Sequence, residues 1–288
     1  MPRPFDPVTA PPLPEQVGAS FPRLVELMQR LLAPDGCPWD REQNLQTLRK
    51  YVLEEACEVI DAIDGGDRNE LCSELGDLLL QIVFQAEIAR AEGAFGPDDV
   101  MAAICSKLVR RHPHVFADVV VGGAGEVLQN WERIKASEKG AKERGVLGGV
   151  ARSLPALTRA QRVGEKVARV GFDWPDARGS RGKVDEELRE LDEAMASGDK
   201  DRVEAELGDV LFALVNLARH ADVDAEGAMR RTIDKFTKRF DHVEGRVHEK
   251  HGGWPTSTTA PQLSLEELDG YWDEAKTAEA AAAANRSK

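Results

Sequence analysis

Four acidic residues, Glu187, Glu190, Glu206 and Asp209, have the types and the spacing to do metal chemistry. Each pair is three residues apart, which puts its two carboxylates on one side of a helix at about 100° per residue. The pairs are symmetric about the turn Ser197-Gly198-Asp199: residues 187 and 209 are each eleven from Gly198, and residues 190 and 206 are each eight. A chain folding back at Gly198 therefore brings all four to one level, roughly 12–16 Å from the turn. Like charges that close repel unless a cation lies among them or some are protonated. The set offers oxygen only and lacks the Glu-x-x-His of di-iron bundles, so it suits Mg²⁺, with Mn²⁺ as a substitute, over zinc or copper. Mg²⁺ binds through carboxylates plus substrate phosphates, which makes a nucleotide its natural companion.

Two helices must position these acids. Val184, Leu188, Leu191 and Met195 recur at helical spacing before the turn, and Val203, Leu207, Val210, Leu214 and Leu217 after it. The short turn predicts an antiparallel pair packed stripe to stripe, with the acids about 60° and 120° to one side of the seam.

The same arrangement occurs earlier in the chain. Residues 50–83, KYVLEEACEVIDAIDGGDRNELCSELGDLLLQIV, carry Glu55, Glu58, Glu74 and Asp77, each 132 residues before its counterpart and symmetric about Gly66. Their stripe is Val52, Ala56, Val59 and Ile63, then Leu71, Leu75, Leu78 and Ile82. Other pairs match: Trp39 with Trp174, Lys107 and Arg111 with Lys235 and Arg239, Trp131 and Lys135 with Trp272 and Lys276. The copies differ in charge, because Tyr51 stands opposite Lys183 and Glu70 opposite Arg202.

No stretch alternates as a strand would, so the fold class is all-α, a tandem repeat of two helical-bundle domains. The expected order is a flexible proline-rich tail over 1–20, a first domain over 21–139, a linker over 140–153 and a second domain over 154–288. The closing AEAAAAANRSK reads as a frayed end. A net charge of −13 argues against a nucleic-acid surface, which needs basic patches. The N-terminal residues lack the apolar core of a signal peptide, and no apolar run reaches the length of a membrane span. Four cysteines at 37, 57, 72 and 105 form no C-x-x-C pair, which fits reduced thiols and a cytoplasmic protein without membrane or nucleic-acid partners.

The cations near the acids each read in two ways. Lys183 lies one turn before Glu187 and Arg202 one turn before Glu206, placed either to hold a phosphate or to make an ion pair along the helix. Lys235 and Arg239, one turn apart, make either a polyphosphate clamp or a solvated face. Trp272, with Lys276 nearby, either stacks on a base or belongs to the core. His112 and His114, around Pro113, mark a helix end.

The segments GCPWD, YVLEEACEVIDAI, ELGDLLLQIVF and KLVRRHPHVF in one half carry a family resemblance. So do RSLPALTRAQRVGEKVARVGFDW, ELGDVLFALVNLARH and KFTKRF in the other. Over residues 21–280 the chain resembles the two-domain bacterial MazG proteins. The resemblance implies a homodimeric, Mg²⁺-dependent nucleoside triphosphate pyrophosphohydrolase that cleaves NTPs and dNTPs between the α- and β-phosphates. It implies metal ligands at Glu187, Glu190, Glu206 and Asp209, with a second, degenerate set at Glu55, Glu58, Glu74 and Asp77. It places phosphate-binding cations at Lys183, Arg202, Lys235 and Arg239, which assigns the chemistry to the second half. Glu186, adjacent to the ligands, is then the candidate to orient or deprotonate the attacking water, and Trp272 and Lys276 to meet the nucleoside. The alternatives are a narrow dUTP- or dCTP-type pyrophosphatase and a non-catalytic helical scaffold.

Overall fold

Side-chain caps start the long helices. Asn44, Asp67, Asp176, Asp199 and Asp224 each accept hydrogen bonds from backbone N–H groups of the first turn that follows them. Gly66 and Gly198 end the helices before the two acid-bearing turns, at φ of 78° and 72°, the left-handed conformation that favours glycine. The computed structural model describes residues 20–138, 145–255 and 263–286, which are helical and contain no strand. The proline-rich tail up to residue 19 and residues 140–144 of the expected linker lie outside the described residues, as does the side chain of Lys135.

The chain divides into two units, Met1–Gly140 and Ala141–Lys288. The first holds α1 (Phe21–Leu32), α2 (Pro38–Arg41), α3 (Leu45–Gly65), α4 (Arg68–Ala91), α5 (Pro97–Arg111), α6 (Pro113–Phe116) and α7 (Ala124–Glu138). The second holds α8 (Ala156–Ala168), α9 (Ala177–Ser197), α10 (Lys200–His220), α11 (Ala225–His251) and α12 (Leu265–Arg286). In the first unit α3 and α4 form a helical hairpin, α1 and α5 pack on α4, and α7 on α5. Their core gathers Met28, Leu48, Val83 and Phe84, with Tyr51 packed against it. In the second unit α9 and α10 form the equivalent hairpin, α8 packs on α10, and α12 runs against α11 around Val243, Val247 and Tyr271.

Three features depart from the sequence expectations. Helix α9 starts at Ala177, seven residues before Val184 opens the apolar pattern, because Asp176 caps it. Gly179 permits this early turn: a Cβ there would lie 2.4 Å from the Trp174 ring. Helix α12 runs through the alanine tract to Arg286 and is not frayed there, as the high helix propensity of alanine favours.

The third departure concerns the seam. The buried positions of α9 are Ser180, Val184, Glu187 and Ala194, and those of α10 include Val210 and Ala213. This line is rotated by roughly 50° from the leucine stripes, toward the acids. Met195, Leu207 and Leu214 are left 63%, 47% and 44% exposed, and Leu188 and Leu211 are exposed with them. In the first hairpin Leu53, Ile63, Leu75, Leu79 and Ile82 are exposed likewise. The stripe-to-stripe expectation is therefore corrected: small side chains let the helices approach along the acidic flank, and much of the leucine face stays uncovered.

A polar knot fixes the segment entering α9. Arg219 on α10 donates from Nη1 and Nη2 to Asp173 at 2.8 and 2.5 Å, and His220 Nε2 lies 3.0 Å from Asp173 Oδ1. Arg219 holds the Asp173 carboxyl at about 2, below the ordinary value, with His220 assisting against the effect of burial. A lowered folded-state value contributes stability above the unfolded value near 4 and loses it as pH falls through about 2. Asp173→Asn is thus expected to lower the melting temperature by about 3–6 °C at pH 7. The gap to the unaltered protein should narrow below about pH 4, as thermal melts across that range would show.

Candidate active site

The hairpin α9–α10 brings three of its four expected acids together. Glu187, Glu206 and Asp209 each offer a carboxylate oxygen within 4.8 Å of the others. Glu187 is only 6% exposed, Glu206 is half-buried and Asp209 is exposed, so the cluster opens outward from the seam. Glu190, half-buried one turn beyond Glu187, lies outside this triad. Oxygens around a Mg²⁺ ion stand about 3–4 Å apart at bond lengths near 2.1 Å. The triad needs only small rotations to reach that spacing, and its all-carboxylate donor set suits the ion.

Lys183 faces the cluster. Its Nζ lies 2.8 Å from Glu186 Oε1 and 2.6 Å from Glu187 Oε1. The two carboxylates raise the lysine above its ordinary value, and Lys183 in turn lowers Glu186. Lys183 thus makes the ion pair along the helix, beside the acids. Arg202 has a different partner. Its Nη2 lies 3.7 Å from Glu193 Oε2.

The first hairpin repeats the acids without the cation. Glu55, Glu58 and Glu74 offer oxygens within the same 4.8 Å, while Asp77 lies outside the triad. Burial raises Glu55, followed by the charges of Glu58, Asp77 and Glu74. Burial also raises Glu74, followed by Glu58, Asp77 and Glu70. Glu70 stands where the second half has Arg202, so it adds charge where the other copy removes it. Tyr51 turns into the core against Trp39, ring centroids 5.9 Å apart.

The remaining expected residues lie on α11 and α12. Trp272 is half-buried at the edge of the Val243–Val247–Tyr271 core, 4.8 Å from the Phe236 ring. The Arg239 guanidinium lies over it, 5.6 Å from the ring centroid. Lys235, one turn before Arg239, is exposed. Lys276 pairs with Asp273 on its own helix at 2.7 Å and is not drawn to Trp272. Sequence reasoning missed Glu279, whose Oε2 accepts from Arg239 Nε and Nη2 at 3.0 and 2.8 Å. A signal for it existed: a Glu follows each repeated Trp by seven residues, at Glu138 and Glu279.

Known proteins are similar to this sequence. The model of the MazG nucleotide pyrophosphohydrolase domain matches residues 43–116 and 181–244. The nucleoside triphosphate pyrophosphohydrolase/pyrophosphatase MazG of Thermotoga maritima is 44% identical over 262 residues, covering 91% of this chain and 98% of that protein. The nucleoside triphosphate pyrophosphohydrolase of Escherichia coli is 45% identical over 261 residues, covering 89% and 97%. A protein of the same name from Mycolicibacterium smegmatis is 31% identical over 270 residues, covering 91% and 72%.

Proposed function

The chain belongs to the MazG nucleotide pyrophosphohydrolase family, and from that premise we propose that its second unit converts nucleoside triphosphates to the monophosphate and pyrophosphate. The observation that carries the assignment to this unit is Lys183 beside the acid triad, where the first unit has Tyr51. A triphosphate brings about four negative charges to a site already rich in carboxylates, so a cation at that point decides whether it binds.

Glu187, Glu206 and Asp209, with Glu190 as a fourth ligand, would hold Mg²⁺, or Mn²⁺ in its place. Bound there, the ion would polarise phosphate oxygens and lower the pKa of a coordinated water. Lys183 changes partner as the triphosphate enters, from Glu186 and Glu187 to phosphate oxygen. Releasing Glu186 from that contact restores its basicity and fits it to orient or deprotonate the attacking water. Lys235 and Arg239 offset charge on the pyrophosphate, with Arg202 at the rim. Trp272 offers an aromatic face to the nucleoside, and Lys276 swings from Asp273 to support it.

The chain works as a homodimer in this reading. The uncovered leucines of α9 and α10 form one apolar face on two antiparallel helices, the shape a two-fold partner can match with the same surface. No described helix is long and apolar enough to cross a membrane.

The test is pyrophosphate release by purified protein with Mg²⁺, across ribo- and deoxyribonucleoside triphosphates. Release from most of the panel, abolished by chelator and restored by Mg²⁺, is the expected result. Release from a single pyrimidine substrate would favour the narrow enzyme instead, and orthophosphate without pyrophosphate would refute cleavage between the α- and β-phosphates.

A further inference from the structure

We propose that Glu279 is a positioning residue, which sets the Arg239 guanidinium in the orientation that receives phosphate. Arg239 presents five N–H groups in a planar fork. Glu279 Oε2 takes one edge of that fork, Nε and Nη2, at 3.0 and 2.8 Å. The opposite edge, Nη1 with the second Nη2 hydrogen, points away from Glu279 and has the bidentate geometry that matches phosphate oxygens. The Trp272 ring lies beside the guanidinium, its centroid 5.6 Å away.

Trp272 and Glu279 are seven residues apart on α12, two helical turns, so they share one face and hold Arg239 between them. The burial agrees: the Arg239 side chain is 19% exposed and that of Glu279 is 42% exposed, so the arginine is the enclosed partner. Arg239 is the first cause lowering the Glu279 carboxyl, against the opposing effect of burial, and the charges of Lys235 and Lys238 assist it. Glu279 thus remains charged throughout the range in which a hydrolase of this kind works. An unpinned arginine has several rotamers to lose on binding, and fixing it beforehand removes that cost from the affinity for substrate.

The inference rests on Arg239 meeting phosphate, and one titration series separates the two claims. Full-length protein is titrated with Mg²⁺ and α,β-methylene-ATP by calorimetry, and each variant is melted in parallel. Arg239→Ala tests the reading of the clamp and should weaken binding. Glu279→Ala should weaken it about threefold to tenfold. Glu279→Gln, which keeps the shape and one acceptor oxygen, should fall between Glu279→Ala and the unaltered protein with its melting temperature unchanged. Adding Glu279→Ala to Arg239→Ala should cost nothing more, because the glutamate acts through the arginine. If Arg239→Ala weakens binding while both Glu279 variants leave it unchanged or tighten it, positioning is wrong and the clamp stands. A further loss in the double variant, or an effect of Glu279→Ala that only tracks a lower melting temperature, also overturns positioning. If Arg239→Ala has no effect, the clamp itself is wrong and positioning falls with it.

Discussion

Asp209→Asn is expected to lower pyrophosphate release about a thousandfold, while Glu58→Gln in the first unit leaves it within about twofold. Asparagine keeps the shape of aspartate and removes one negative charge from a triad whose oxygens lie within 4.8 Å. A loss of roughly 4 kcal/mol of transition-state stabilisation corresponds to three decades in rate. Stability should move differently. Without metal the triad is held against its own repulsion, so Asp209→Asn should not lower the melting temperature measured in chelator. With Mg²⁺ the unaltered protein should gain stability by binding, and the variant should lose most of that gain. The thermal shift therefore separates a lost ligand from a lost fold.

Glu58→Gln is the control that assigns the working unit. Its triad lies within the same 4.8 Å limit but takes in Glu58, where the other takes in Asp209, so both halves gather three carboxylates. The distinction lies at Lys183 and Arg202, replaced by Tyr51 and Glu70. A lethal Glu58→Gln with a tolerated Asp209→Asn would place the chemistry in the first unit and refute the charge argument.

The acids were legible in the sequence because helix geometry is periodic. Three-residue spacing and equal distances from Gly198 require only that two helices meet at a short turn, and a left-handed glycine marks that turn. The orientation of the seam was not legible. Leucines at helical spacing mark a face that wants burial, but they do not say what buries it. Here Val184, Ala194, Val210 and Ala213 are buried, and the larger Leu207 and Leu214 remain exposed. The partnership of Arg239 with Glu279 was hidden for another reason: forty residues separate them, and only the packing of α11 on α12 brings them together. Asp173 and Arg219 were hidden in the same way, since local pattern carries no information about a contact across 46 residues.

The uncovered leucines lead to the second large effect. Leu207→Glu combined with Leu214→Glu is expected to convert the protein from a dimer to a 31.6 kDa monomer, read by light scattering after gel filtration. Both residues lie on α10, two turns apart, and are about half exposed in the isolated chain. Burying a leucine side chain contributes about 1.5–3 kcal/mol. A two-fold interface contains every residue twice, so the double substitution removes four such contributions and opposes four carboxylates near the axis. Even if half of that gain is lost to imperfect packing, the dissociation constant should rise by at least about a hundredfold. The folded chain should tolerate the change, because each glutamate replaces a side chain already open to solvent. The far-ultraviolet circular dichroism should accordingly stay helical. Activity should fall with the dimer, since the same two helices carry Glu187, Glu206 and Asp209, and a covered leucine face holds them rigid. An unaltered protein that already runs as a monomer would refute the dimer outright. A double variant that stays dimeric would place the interface on another face of the molecule.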